Sequence, residues 1–237
     1  MPDLPIYPQK REAPGYALER RLNRLHESSS DAYSSTLEAL RNHCAHETLR
    51  LTGASSANEQ SELVEAQQAA LALIEKAAAE ASEPDLDLDL VREVHCIASP
   101  GSDGKFRDGD IAPQFKNARP SPPRFIGAKL DNLLQWLSAE GGRDMFPAAR
   151  MALWFARFVE IAPFEHGNFR TAHLLTNFFG ATAGFPPATL VLEDAESIRV
   201  EVERAIQFDT APLVERFSRA LESALRACEE AAPRGPQ

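Results

Sequence analysis

Long hydrophobic runs are missing from this 237-residue sequence. No stretch approaches the roughly 18 apolar residues that a membrane-spanning helix needs, so no transmembrane segment is expected. Cysteine is scarce. Cys44, Cys96 and Cys228 lie far apart, no two at metal-ligand spacing, and an odd count does not make a disulfide framework. They are expected to be reduced and mostly packing residues. Basic charge is short as well: 25 Lys and Arg against 35 Asp and Glu leave a formal net charge of −10. Nucleic acids and anionic membranes need Lys and Arg to displace their counterions. General nucleic-acid and membrane binding are therefore not expected, while a small local anion site stays open. The N-terminal stretch MPDLPIYPQKREAPGY lacks the apolar core of a secretory signal, and the chain reads as cytoplasmic.

What is present is helix-forming sequence. Residues 1–15 are rich in Pro and charge and read as a loose arm. Leu18, Leu22 and Leu25 fall at i, i+4, i+7. Leu37 to Leu51 predicts a helix stopped near Gly53, and the Ala-rich stretch from Glu62 to Ala81 predicts another. Leu88 to Ala98 continues the pattern. The turn cluster Ser99 to Gly104 follows, then the one candidate strand pair, Lys105 to Phe115. Ile126 to Ser138 carries Leu130, Leu133, Leu134 and Leu137 on one stripe. Pro147 to Ile161 is apolar on most sides and should be central to the core. Helices are also expected over Asn168–Ala183, Asp194–Phe208 and Pro212–Glu230. The expected class is all-α with a short β-hairpin. An N-terminal arm and helical extension would cover 1–83, and the main domain 84–230.

Between the apolar helix Pro147–Ile161 and the next helix runs Ala162-Pro-Phe-Glu-His-Gly-Asn-Phe-Arg170. A helix N-terminus presents N–H groups without intrahelical acceptors and the positive end of the dipole, which suits a phosphate. Gly167 permits close backbone approach, Asn168 can cap or donate, and Arg170 can grip phosphate oxygens. An ordinary capped helix with a surface arginine would read the same way, so both interpretations stand on the residues alone.

The stretch A-P-F-E-H-G-N-F-R-T-A-H, Ala162 to His173, resembles the Fic-family motif H-P-F-x-D/E-G-N-G-R-x-x-R. Four further segments resemble the same family in order and spacing. They are LVREVHCIA (90–98) before its flap, GKFRDGDI (104–111) at the flap hairpin, PSPPRFIGAKLDNLLQWL (120–137) after it, and SIRVEVERAIQFDTAPLVERF (197–217) in its late helices. The resemblance spans about residues 85–225. It implies a Fic-like helical bundle with a short β-hairpin flap and an N-terminal helical extension.

Residue by residue, the resemblance implies that Pro163 and Phe164 anchor the loop, and that Gly167 and Asn168 hold nucleotide phosphates. Arg170 stands at the first family arginine, a phosphate contact. Phe106, Arg107 and Ile111 fall on the flap that receives a protein target. Four positions depart. Ala162 replaces the histidine base, His166 the acidic Mg²⁺ ligand, Phe169 the second glycine, and His173 the second arginine, which pairs with the terminal phosphate. A methyl group takes no proton, and general-base catalysis is worth about 10²–10⁴-fold. Imidazole suits Mg²⁺ poorly. ATP with Mg²⁺ is the cofactor the resemblance implies, and these departures leave the cofactor unassigned, with no metal ligands nominated. Upstream, His46 to Gly53 resembles the inhibitory helix of many family members, with Thr48 matching and Thr52 in place of its glutamate.

His166, with Glu165 beside it, is the candidate replacement for catalysis; a neutral imidazole near a helix N-terminus can act as base or nucleophile. Gly167, Asn168, Phe169, Arg170 and His173 are the candidate nucleotide or phosphate contacts. His95, Trp136, Trp154, Phe155 and Phe158 read as packing residues. His43 and His46 lack a third ligand. The resemblance implies a transferase-like fold whose members move AMP, UMP, phosphocholine or phosphate. Three functions follow: a repurposed enzyme on a phosphate-bearing or other anionic small molecule, a binding or regulatory protein using the flap, or residual AMP transfer onto protein hydroxyls. The oligomeric state is not set by the sequence.

Overall fold

A computed structural model of the chain describes residues 18, 21–22, 31–50, 57–80, 86–116, 118–190 and 195–231. The expected N-terminal arm, Leu25, Thr52 and Gly53 lie outside these residues. The described chain is helical: α1 (Asp31–Arg50), α2 (Ala57–Glu80), α3 (Leu88–Ala98), α4 (Ile126–Ser138), the short α5 (Glu140–Arg143), α6 (Pro147–Ile161), α7 (Asn168–Ala181), α8 (Ala195–Ile206) and α9 (Ala211–Ala231). A 3-10 turn, Pro123–Phe125, leads into α4.

The helix starts follow from local chemistry. Asp87 caps α3 by accepting from the Leu90 N–H at 2.7 Å. Pro147 opens α6, where its missing N–H costs no helical bond. Helix α6 is buried on nearly every side, as its apolar sequence predicts, and Trp154, Phe155 and Phe158 have no exposed surface. Each such side chain contributes roughly 2–3 kcal/mol of burial energy. Helices α7, α4, α8 and α9 all pack on α6. Helix α7 is covered on its other sides by α2, α3 and α1, and the indole N–H of Trp154 donates to the Ala172 carbonyl at 3.2 Å. The two central helices are thus joined just beyond the loop that connects them.

The expected hairpin over Lys105–Phe115 is not a paired ladder. The described residues there form an irregular extended segment, with one isolated antiparallel bridge between Phe115 and Ala118. Its hydrogen bonds go elsewhere: the Arg107 N–H donates to the Pro163 carbonyl at 2.9 Å, and the Ser121 N–H to the Ile161 carbonyl at 3.2 Å. The flap segment is held by the loop it covers rather than by its own partner strand. Among the described residues, no helix is long and apolar enough to cross a membrane.

Candidate functional site

The chain leaves α6 at Ala162, whose φ of 49° and ψ of 66° place it in the left-handed region, and whose N–H closes the helix on the Phe158 carbonyl. The methyl group of Ala162 is fully buried. One guanidinium fixes this unusual turn. Arg107 donates from Nε to the Ala162 carbonyl at 2.8 Å, from Nη1 to Gly109 at 2.7 Å and from Nη2 to Ser121 at 2.5 Å. A second Nη2 contact reaches the Ile161 carbonyl at 3.5 Å. The cation therefore sits at the negative end of the α6 dipole and stitches the flap segment to it. Arg107 is only 8% exposed, which corrects its expected role as a flap residue facing a target. Phe106 is half-buried, its ring 5.5 Å from that of Phe164, and Ile111 is half-buried too.

The loop then doubles back through a second clamp. Asn168 is 1% exposed. Its Oδ1 accepts from the Phe164 N–H at 2.9 Å and its Nδ2 donates to the Phe164 carbonyl at 2.7 Å, so its amide braces the loop from inside. Phe164 is buried and lies flat on the His95 imidazole, with centroids 3.5 Å apart and planes 5° from parallel. His95 Nδ1 lies 2.8 Å from Thr171 Oγ1 in the first turns of α7. Burial first, and the Arg170 cation second, push the His95 pKa down to about 4, so the ring is neutral.

Gly167 precedes α7 at φ 72°, against the edge of the same imidazole. A Cβ there would lie 2.8 Å from Ser99 Oγ and 3.3 Å from His95 Cε1, so glycine is required both by conformation and by space. Glu165 and His166 stand exposed at the crest of the loop, immediately before the α7 N-terminus. The first-turn N–H groups of α7 are those a helix cannot satisfy internally, and they make this the part of the molecule suited to an anion. Arg170 extends from that turn and donates from Nη1 to the Ala98 carbonyl at 3.0 Å, reaching the C-terminal end of α3. Phe169 points the other way into the core, 5.4 Å from Phe155 and 5.9 Å from Phe115, so its bulk is absorbed by packing.

His173 is the member of the set that the structure withdraws from the loop. It is fully buried, and burial pushes its pKa down to about 4. Its Nε2 accepts the Leu190 N–H at 3.2 Å, and its Nδ1 lies 2.9 Å from Thr48 Oγ1 on α1. Both ring nitrogens are committed within the protein. The structure thus brings Glu165, His166, Gly167, Asn168 and Arg170 together at the α7 N-terminus, with Phe169 and His173 turned inward. The support from His95, Thr171 and Arg107 is what the sequence reading missed; the partners lie far apart in the chain, and only the invisible tertiary contacts join them.

The loop's donor set does not suit Mg²⁺, which takes oxygen ligands in near-octahedral array. It offers one carboxylate, Glu165, beside an imidazole. Among the described residues, no three His, Cys, Asp or Glu side chains come together.

Residues 85–180 match the model of the Fic/DOC family. Among curated proteins, "Protein adenylyltransferase fic-1" of Caenorhabditis briggsae is 29% identical over 139 residues, 59% of this chain and 27% of that relative. The chain thus matches about a quarter of the length of the relative. Among solved structures, a Fic domain containing signaling protein from Bacteroides thetaiotaomicron superposes with a TM-score of 0.79 at 17% identity, covering 93% of this chain and 99% of that one. A Fic-1 fragment from C. elegans gives a TM-score of 0.77 at 22% identity, covering 92% and 69% respectively. These likenesses establish a Fic fold.

Proposed function

For a chain that belongs to the Fic/DOC family through its residues 85–180, we propose a repurposed activity: binding of a phosphate-bearing or other anionic small molecule at the α7 N-terminus, and group transfer without the family's histidine base. The observation that carries the reading is Ala162. A buried methyl group, locked in a left-handed turn by Arg107, occupies the position that the resemblance gives to the base. No proton can be taken there. The anion-holding features remain: Gly167 sets the turn that opens α7, the first-turn N–H groups of α7 lie beside the crest, and Arg170 stands in that same first turn. Beside them, the exposed His166 and Glu165 are the groups able to move a proton, His166 as base and Glu165 as its neighbouring carboxylate. The donor set of the loop does not suit Mg²⁺, and the proposed transfer uses no metal.

The test is product analysis of the pure protein with ATP, UTP or CDP-choline and small hydroxyl or amine acceptors. Turnover that disappears in both His166→Ala and Arg170→Ala supports the reading. Labelling of protein hydroxyls with AMP, strengthened by Ala162→His, would support the activity named for the adenylyltransferase relatives instead.

A second reading, a catalytically inert binding or regulatory protein, is favoured by His173 and Arg170. The first is saturated by Thr48 and Leu190, and the second bonds the Ala98 carbonyl, so both family phosphate contacts have structural duties here. Ligand binding without turnover of any substrate would select it.

A further inference from the structure

The charge of this chain is segregated. Residues 111–130 contain Lys116, Arg119, Arg124 and Lys129 and no carboxylate, in a chain whose net charge is −10. All four cations are exposed. Asp110 and Asp131 mark the two ends of this basic stretch. It is anchored rather than loose, since Ser121 at its middle bonds the Ile161 carbonyl through its N–H and Arg107 through its own carbonyl.

The same stretch leads into α4, whose apolar stripe is covered and whose outer side is flanked by two exposed aromatic rings. Ile126, Leu130, Leu133, Leu134 and Leu137 of α4 are buried. Phe125, Lys129, Asn132 and Trp136 fall at i, i+4, i+7, i+11, a second stripe along the helix, and all are exposed. Phe125 is 45% exposed and Trp136 38%, two of the largest apolar side chains on the surface. The Arg124 guanidinium lies 4.8 Å from the Phe125 ring centroid, an arrangement that keeps both groups at the surface. Exposed Trp, Phe and Arg together are the composition of interface anchors rather than of ordinary solvated helix.

We propose that Lys116 and residues 118–136 form a docking surface for an acidic polypeptide segment of a partner protein, with Phe125 and Trp136 receiving its apolar side chains and the four cations its carboxylates. Charge selects the occupant. A short acidic segment senses the basic stretch within a screening length of about 8 Å and little of the acidic remainder. Long polyanions and membrane surfaces extend past it and meet the rest of a net negative molecule. A second copy of the chain applied to this face by two-fold symmetry would bring like charges together. The surface adjoins the loop through Ser121 and Arg107 yet uses none of the loop's residues, so the proposal stands apart from whatever the loop binds.

Trp136 supplies the readout. The chain has two tryptophans, and the other, Trp154, is fully buried, so a soluble quencher reaches Trp136 alone. The probe is a short peptide repeating Glu-Glu-Leu-Asp, titrated into the full chain while acrylamide quenching is followed. The expected result is protection of Trp136, binding weakened by at least about tenfold between low salt and ~0.5 M salt, and a similar loss in Lys116→Glu/Arg119→Glu/Arg124→Glu/Lys129→Glu. The milder Arg124→Ala/Lys129→Ala variant guards against misfolding and is expected to show an intermediate loss. Absence of protection, equal binding of a Lys-for-acid control peptide, or tighter binding of an RNA oligonucleotide would overturn the proposal. So would a dimer, seen by sedimentation, that dissociates on Trp136→Ser.

Discussion

The His173 imidazole and the Thr48 hydroxyl, 2.9 Å apart across the α7–α1 contact, share a single proton arrangement. Thr48 Oγ1 donates to the Cys44 carbonyl at 2.7 Å, so toward His173 it can only accept. The Leu190 N–H donates to Nε2, which must therefore be bare. His173 is the neutral Nδ1–H tautomer, and protonating it would set two donors against each other at Leu190. A residue standing where the resemblance expects a phosphate-binding arginine instead bonds α7 both to α1 and to the segment that follows α7.

This arrangement makes folding pH-dependent. His95 and His173 both have native pKa values lowered from 6.5 to about 4, mainly by burial. The Arg170 charge lowers that of His95 further, while Asp103 and Glu47 oppose the shifts weakly. Below pH 6.5 the unfolded chain binds protons that the native state refuses, so stability falls as pH drops toward 4. Each histidine contributes a slope of about 1.4 kcal/mol per pH unit in that window. Urea denaturation at successive pH values should show the fall, and His173→Gln should roughly halve the contribution of the pair.

Restoring the family arginine should fail structurally. His173→Arg places a guanidinium at a fully buried position facing the Leu190 N–H. A cost of about 3 kcal/mol or more is expected from the unpaired buried charge. Thr48→Val should cost about 1–3 kcal/mol by leaving the Nδ1–H without an acceptor. Thermal melts of the two variants give the comparison.

Arg107 should matter far more than a flap cation exposed to solvent. Arg107→Met removes donors to the carbonyls of Ala162, Gly109 and Ser121. A destabilisation of about 2–4 kcal/mol is expected, together with faster proteolysis between residues 105 and 116. Unchanged proteolysis would mean that the flap segment is held by other contacts.

Gly167→Ala should be poorly tolerated. Its φ of 72° strains any L side chain, and the new methyl would meet Ser99 Oγ and His95 Cε1. A loss of about 1–3 kcal/mol is expected. The loop itself should move, which near-ultraviolet dichroism of the Phe164–His95 stack and ligand binding can both register.

Much of the fold was legible in the sequence because apolar periodicity is local. Pro147 to Ile161 is the central helix that its pattern predicts, and α3 and α4 run over the expected residues Leu88–Ala98 and Ile126–Ser138. The hairpin was not legible in detail. The family-like segment GKFRDGDI suggests two strands, but its backbone bonds are taken by Pro163 and by the Arg107 side chain. The motif falls on the connection between α6 and α7, with Glu165 to Gly167 at its crest. It did not disclose that His173 turns inward, because Leu190 and Thr48 are distant in sequence. Nor did helical spacing distinguish His95 as packing from His95 as the platform beneath Phe164.

The proposed phosphate site at the α7 N-terminus, close to an Ala162 side chain that takes no proton, is open to direct assay. Calorimetric titration with ATP, UTP, CDP-choline and pyrophosphate, with and without Mg²⁺, tests it most directly. Binding of at least one of these is expected, independent of Mg²⁺ and weakened about tenfold or more by Arg170→Ala. Heat absent with every ligand, or affinity unchanged in Arg170→Ala, would contradict it.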